Sequence, residues 1–162
     1  MLLTLNTGLR RAGASNLRWP HIDFQRDQLS VEDTTAKSGQ TGHIPLNTEV
    51  QAILKSWREQ SDTEYIFTSP LTRERFNNIK RSRGVLRARA GLPDFCFNDL
   101  RHTFASKLVM ADKDLYVVKE LLGQSTIQMT EQYAHLTPDH KISAIEILVT
   151  KYSNSENPEE IE

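Results

Sequence analysis

The stretch from residue 97 to residue 135 constrains the fold most, because it holds three short helical patterns joined by tight turns. The first begins near Asn98, a residue suited to the N-cap, and the second ends at Gly123, which suits a left-handed C-terminal cap. The third carries Tyr133. Helices joined by tight turns pack against their neighbours, so we expect polar side chains of all three to meet in one cleft.

Three polar side chains at the head of the first helix lie on one face. Asn98, Arg101 and His102 are three and four residues apart, and they therefore share one face of the helix. Backbone N–H groups and the helix dipole make this position favourable for an anion. A capped helix with an arginine at its surface explains the same residues equally well, so the pattern alone leaves both interpretations open.

Tyr133 is not marked as reactive by its position. The apolar stripe of its helix is expected to face the core, and Tyr133 lies on the flank of that stripe. A tyrosine in such a place is usually half-buried, with its hydroxyl in water. The stripe consists of Ile127, Thr130 and Ala134.

Short β-branched or alternating runs near the front of the chain favour strands. They cover residues 22–24, 29–32 and 43–46. We expect a small three-stranded antiparallel sheet with Lys37 near the tip of its second hairpin, although the pattern alone favours a solvated loop lysine. Helical periodicity recurs at residues 47–60, 72–90 and 139–149. Together with the small sheet, these helices predict a fold class that is α+β and mainly α-helical.

Length and cysteine content bound the remaining possibilities. A chain of 162 residues suits one domain whose core needs neither disulfides nor metals. Cys96 is the single cysteine, which excludes an internal disulfide and a cysteine metal cluster and favours a reducing, cytosolic setting. No apolar run approaches the roughly 20 residues of a membrane span, so we expect no membrane partner.

Charge is unevenly distributed along the chain, although the net charge is only −1. Residues 71–92 contain seven arginines and lysines against a single acid, Glu74. A basic helical block suits nucleic-acid phosphates, but it is equally typical of a solvated helix face. Residues 150–162 are polar and acidic, and they are predicted to be disordered.

Five segments, taken together, carry a family resemblance. They are Thr7-Gly8-Leu9-Arg10, Lys37 with Ile44-Pro45-Leu46, the run from Asp99 to Ala105, Leu121-Leu122-Gly123, and the run from Met129 to His135. In this order and spacing they resemble the tyrosine recombinase (phage integrase) family, from Thr7 to about Leu148. The resemblance implies the family's catalytic domain at residues 1–149, with a truncated first helix and without the upstream DNA-clamping domain.

The resemblance also implies a reaction. The family's nucleophile falls on Tyr133, its two arginines fall on Arg10 and Arg101, and its hairpin lysine falls on Lys37. In the family the tyrosine attacks a DNA phosphodiester, which leaves a 3′-phosphotyrosyl bond and a free 5′-hydroxyl, and a partner strand's 5′-hydroxyl later reverses the attack. No cofactor or metal is needed. We therefore expect a recombinase of double-stranded DNA that assembles with other protomers into a tetramer on DNA. We expect it in the cytoplasm, associated with the nucleoid, as a bacterial or phage protein.

Three positions depart from the family pattern. Asn98 opens the second box, and Gln124 follows Leu-Gly in the third, where the family usually has histidines. Gly13 replaces an acid that usually follows the first arginine. Amides bind a phosphate oxygen but do not shuttle protons near neutral pH, and losing such help typically costs a factor of about 100 to 10,000. The resemblance gives His102 a buttressing place.

Two hypotheses about function follow. The first is a recombinase that is slower than its relatives, and the second is an integrase-derived module that grips DNA but cleaves poorly or not at all. A third hypothesis is a type IB topoisomerase, which shares the tyrosine chemistry, but the residues of the motifs fit integrases better.

Overall fold

The computed structural model describes residues 1–32, 41–69, 72–76 and 80–137. In chain order their elements are α1 (Leu2–Thr7), α2 (Arg11–Ser15), β1 (Ile22–Asp23), β2 (Gln28–Glu32), β3 (Thr41–Pro45), α3 (Thr48–Gln60), α4 (Lys80–Ala90), α5 (Phe97–Met110), α6 (Leu115–Leu122) and α7 (Gln128–Glu131). Short 3₁₀ turns lie at Trp19–His21 and Ala134–Leu136. Lys37, the predicted helix at 139–149 and the predicted tail at 150–162 lie outside the described residues. Within these ranges no helix has the length and apolar character needed to cross a membrane.

The predicted three-stranded antiparallel sheet is confirmed, in the order β1-β2-β3. Ile22 pairs with Leu29, and Leu29 pairs with Ile44. Successive side chains in a strand point to opposite faces, so this register places all three residues on the buried face. The predicted α+β, mainly α-helical class is confirmed with it.

The buried face of the sheet forms a first core with α3 and the front of the chain. α3 begins after Asn47, whose Oδ1 accepts a 3.0 Å hydrogen bond from the backbone N–H of Val50. This cap satisfies one of the orphan donors of the first turn. Val50 and Leu54, four residues apart, then point into the core beside Leu17.

The predicted helix at 72–90 is too long at its front, because α4 begins only at Lys80. Residues 72–76 include extended backbone that pairs with an earlier segment. The N–H of Phe76 donates to the carbonyl of Phe67 over 3.0 Å, and Arg75 bridges Thr68. These hydrogen bonds between two segments of the chain override the helical periodicity at residues 72–76.

A second core is formed by α5, α6 and the segment after α7. α5 begins at Phe97, so the predicted N-cap at Asn98 is wrong by two positions. Cys96 precedes the helix, and its N–H donates to Asp99 Oδ2 over 2.7 Å. The predicted left-handed cap at Gly123 is confirmed by its φ of 58°. The buried members of this core are Phe104, Ala105, Val109, Val118, Leu122 and Tyr133.

Candidate active site

Arg101 connects three elements that the sequence separates widely. It lies in the second turn of α5, and its Nη1 donates to the carbonyl of Gly8, just after α1, over 2.7 Å. Its Nη2 donates to the carbonyl of Leu122, the last residue of α6, also over 2.7 Å. Carbonyls at helix ends lack partners within their own helices, so Arg101 satisfies two such groups. Both bonds fix the orientation of the guanidinium.

A second arginine lies close to this guanidinium. The pKa of Arg101 is lowered to about 10, first by burial and then by the positive charge of Arg10, while Tyr133 acts in the opposite direction. Arg10 is exposed at the N-cap position of α2. Within the described part of the chain neither arginine has a carboxylate partner. Two positive charges that act on each other without a carboxylate to neutralise them create a potential that favours an anion nearby.

Tyr133 lies deeper than predicted. It is only 5% exposed and belongs to the second core, so the expectation of a half-buried ring with its hydroxyl in water is wrong. α7 ends at Glu131 after a single turn, and the helical periodicity therefore stops before it reaches Tyr133. Thr130 is buried as predicted, but Ala134 is exposed. Tyr133 occupies the inward position expected for Ala134.

The hydroxyl of Tyr133 contacts His102. The distance from the oxygen to His102 Nδ1 is 2.6 Å, and His102 is otherwise exposed on α5, next to Arg101. Burial raises the pKa of Tyr133, and the charge of Arg101 offsets part of that effect. The phenol is therefore neutral at neutral pH and has a ring nitrogen in place to exchange its proton.

Gln124 follows the glycine cap of α6 and is 8% exposed. Its Oε1 accepts a 2.6 Å hydrogen bond from the hydroxyl of Thr130, which is fully buried. Asn98, the second residue of α5, is exposed. Of the residues predicted for the site, His102 thus contacts Tyr133, and Arg101 lies within range of the charges of both Arg10 and Tyr133. Gln124 lies two residues beyond the carbonyl of Leu122 that Arg101 binds. Lys37 lies outside the described residues.

Three contributors were not identified from the sequence. The carbonyls of Gly8 and Leu122 hold Arg101, and Thr130 holds Gln124. A backbone acceptor leaves no trace in a residue type, but the αL helix end at Gly8 was a usable signal. Among the residues that the structure describes, no three His, Cys, Asp or Glu side chains are grouped closely enough to hold a metal ion.

Known proteins are similar to this chain in sequence and in fold. A model described as the phage integrase family matches residues 1–140. The chain is 36% identical over 148 residues to the integrase of Salmonella phage P22, covering 84% of this chain and 38% of that protein. It is 30% identical over 155 residues to the tyrosine recombinase XerA of Pyrococcus furiosus, covering 90% of this chain and 52% of that protein.

The structural comparison agrees with the sequence comparison. The fold is similar to the solved catalytic domain of the bacteriophage HP1 integrase, with a TM-score of 0.66 and 28% sequence identity. That match covers 98% of this chain and 83% of the solved chain. The chain spans about half or less of the length of the two relatives compared by sequence.

Proposed function

The chain belongs to the phage integrase family, whose model matches residues 1–140, and from this premise we propose that it is the catalytic domain of a site-specific DNA recombinase. One observation supports the proposal most. A buried tyrosine hydroxyl lies 2.6 Å from an imidazole nitrogen of His102, and the preceding residue, Arg101, has a guanidinium within range of the positive charge of Arg10. A nucleophile, a proton acceptor and a cationic anion site are the parts that phosphoryl transfer requires.

In the proposed reaction the oxygen of Tyr133 attacks the phosphorus of a DNA phosphodiester. The phenolic proton passes to His102 Nδ1, and the bond between phosphorus and the 5′-oxygen breaks. Arg10 and Arg101 neutralise the non-bridging oxygens, because guanidinium groups are planar donors that stay charged. The resemblance assigns protonation of the leaving 5′-oxygen to Lys37. The products are a 3′-phosphotyrosyl bond and a 5′-hydroxyl, and attack by a second 5′-hydroxyl restores the phenol.

The proposed substrate is double-stranded DNA, and the charge on α4 supports this choice. α4 contains five lysines and arginines and no acid over its eleven residues. Arg87 and Arg89 belong to its last turn. Cations clustered on one helix bind the phosphate backbone without reading sequence, so this binding should weaken steeply as salt rises. We place the reaction on DNA in the cytoplasm, at the nucleoid, with several protomers assembled on one site.

The test is capture of a covalent intermediate from DNA of unspecified sequence. Duplex oligonucleotides with a central nick and randomised flanks are incubated with the chain, denatured, and screened for protein that stays attached to DNA. A nick lets the short 5′-hydroxyl fragment diffuse away, which traps the intermediate. We expect the wild-type chain to enrich particular sequences and Tyr133→Phe to yield no adduct. If the wild-type chain also yields none but shifts the pool in a gel, it is a DNA-binding module that does not cleave.

The rate of cleavage is expected to rise into the alkaline range. The raised pKa of Tyr133 keeps the phenol neutral until the pH is high, so near neutral pH its proton must pass to Nδ1 of His102, which lies 2.6 Å away. The amides of Asn98 and Gln124 do not titrate. His102→Gln lacks the acceptor and should therefore lower the rate near neutral pH about 100-fold, and the loss should narrow at high pH, where the phenol of Tyr133 loses its proton to solvent.

The measurement is the initial rate of adduct formation on one enriched duplex across a pH series. His135→Gln is the matched control, since His135 is exposed on the 3₁₀ turn that follows Tyr133. It should keep the wild-type rate across the series. A rate for His102→Gln that equals the wild-type rate near neutral pH would exclude His102 as the acceptor.

Gln124→His is expected to speed cleavage about tenfold or more, because an imidazole supplies proton transfer that an amide lacks. One ring nitrogen accepts the hydroxyl of Thr130 in place of Oε1, so the buried bond is retained. Gln124→Met, which is similar in size, removes the donor and should slow cleavage. Equal rates for the histidine variant and the wild type would show that proton transfer at residue 124 does not limit the reaction.

A further inference from the structure

The hydrogen bond between Thr130 and Gln124 joins two side chains that are both more than nine-tenths buried. Thr130 Oγ1 lies 2.6 Å from Gln124 Oε1, and the two residues are 0% and 8% exposed. They come from different elements, since Gln124 follows α6 and Thr130 lies in α7. A bond of this length between buried groups allows the amide little freedom to rotate.

The direction of this bond decides which end of the amide stays free. When the threonine hydroxyl donates, the carbonyl oxygen of Gln124 is occupied and the NH₂ group points away from Thr130. That NH₂ carries two N–H donors. Neither has an acceptor among the residues that the structure describes. The amide nitrogen is not among the buried side-chain atoms without a partner in the described part of the chain, so it has contact with solvent and is open to an acceptor that arrives from outside the protein.

The free NH₂ group belongs to a residue next to the helix end that orients Arg101 in the anion site. Gln124 is two residues beyond Leu122, whose carbonyl accepts the Nη2 bond of Arg101. The backbone N–H of Gln124 donates to the carbonyl of Lys119 over 3.1 Å, so the end of α6 holds the main chain in place. The amide is therefore attached to the same helix end that orients the guanidinium.

We infer that Thr130 is a positioning residue, which holds the amide of Gln124 with its NH₂ group turned to donate to a non-bridging oxygen of the scissile phosphate. This inference rests on the proposed strand-cleavage function. Thr130 does not touch the reacting atoms. It acts by selecting one of the two amide orientations, which differ in whether a donor or an acceptor faces the phosphate.

The first arm of the test measures the amide itself and needs no cleavage. The side-chain ¹⁵N–¹H₂ signals of Gln124 are identified by their absence from Gln124→Met. Thr130→Val keeps the shape of the side chain but removes the hydroxyl, and Thr130→Ser keeps the hydroxyl. We expect the valine variant to move the signals toward those of a free glutamine, and the serine variant to keep them near the wild-type positions. Unchanged signals in the valine variant would overturn the inference.

The second arm measures the rate of adduct formation on an enriched nicked duplex. Thr130→Val should slow cleavage about 10- to 100-fold. This loss should not exceed the loss in Gln124→Met, which removes the NH₂ donor itself. Thr130→Ser should restore most of the rate, and Thr126→Val, at an exposed residue of the same segment, should leave it unchanged. In a Gln124→Met background Thr130→Val should have no further effect, because the amide that it orients is gone.

The two arms separate the two proposals. An adduct from the wild type with equal rates for Thr130→Val, or with an equally large loss in the Gln124→Met background, overturns the positioning role alone. No adduct from the wild type defeats the proposed function, and the amide signals then still decide whether Thr130 orients Gln124. A general loss of structure in Thr130→Val would appear as a lower melting temperature that Gln124→Met does not share.

Discussion

Arg101→Lys is expected to lower the rate of covalent-adduct formation about 1,000-fold and the free energy of unfolding by about 1–3 kcal/mol. The guanidinium donates to the carbonyls of Gly8 and Leu122 at the same time. An ammonium group is a compact point charge and does not span both carbonyls while it also faces a phosphate. One carbonyl therefore loses its charged partner, and the anion site loses its planar donors.

The two effects are separated by a matched substitution at the neighbouring arginine. Arg10→Lys should slow cleavage without lowering stability, since Arg10 is exposed and has no hydrogen bond from its side chain among the described residues. Urea unfolding measures stability, and adduct formation on a nicked duplex measures the rate. If Arg101→Lys unfolds at the same urea concentration as the wild type, the two carbonyl bonds contribute little to the fold. If it cleaves at the wild-type rate, Arg101 is not part of the anion site.

Local patterns made the sheet and the C-terminal cap of α6 predictable. Ile22 and Leu29 alternate with polar neighbours, and Ile44 follows a histidine, so this alternation indicates which face of the sheet is buried. Gly123 lies where a left-handed cap is needed, and its φ confirms it. The predicted helix at residues 72–90 was wrong at its front because residues 75 and 76 pair with residues 67 and 68, and this pairing outweighs helical propensity there. Helical propensity is weak enough for tertiary hydrogen bonds to override it.

The chemistry of the candidate site was only partly predictable. Resemblance to known motifs located Arg10, Arg101 and Tyr133, but residue types alone left each of them with an ordinary structural explanation. The partners of Arg101 are carbonyls 93 and 21 residues away in the chain. The burial of Tyr133 depends on where α7 stops, and helix ends are the least certain part of any periodic pattern. Contacts that depend on tertiary placement are therefore the ones that the sequence did not predict.

Gly8→Ala is expected to lower the free energy of unfolding by about 3 kcal/mol, from two separate causes. Gly8 has a φ of 65°, a left-handed conformation that costs a residue with a Cβ roughly 1–2 kcal/mol. A Cβ at this position would also lie 2.6 Å from Cδ1 of Phe104 and 3.0 Å from Cδ2 of Leu122. Both neighbours are buried, so the clash forces α1 and α5 apart. Overpacking of this kind typically costs about 1–3 kcal/mol.

Gly91→Ala separates these causes, because Gly91 has nearly the same φ, 66°, but no atom within 4 Å of its Cβ position. It should show the backbone strain alone, and the difference between the two variants measures the clash. Phe104→Leu should recover part of the loss in Gly8→Ala, as a coupling between contacting residues in a double-mutant cycle. Because the carbonyl of Gly8 also holds Arg101, Gly8→Ala should slow adduct formation even in the fraction that stays folded, whereas Gly91→Ala should not. Equal destabilisation by the two alanines would show that α1 and α5 have room to adjust, and the close approach at Gly8 would then not be what fixes Arg101 in the site.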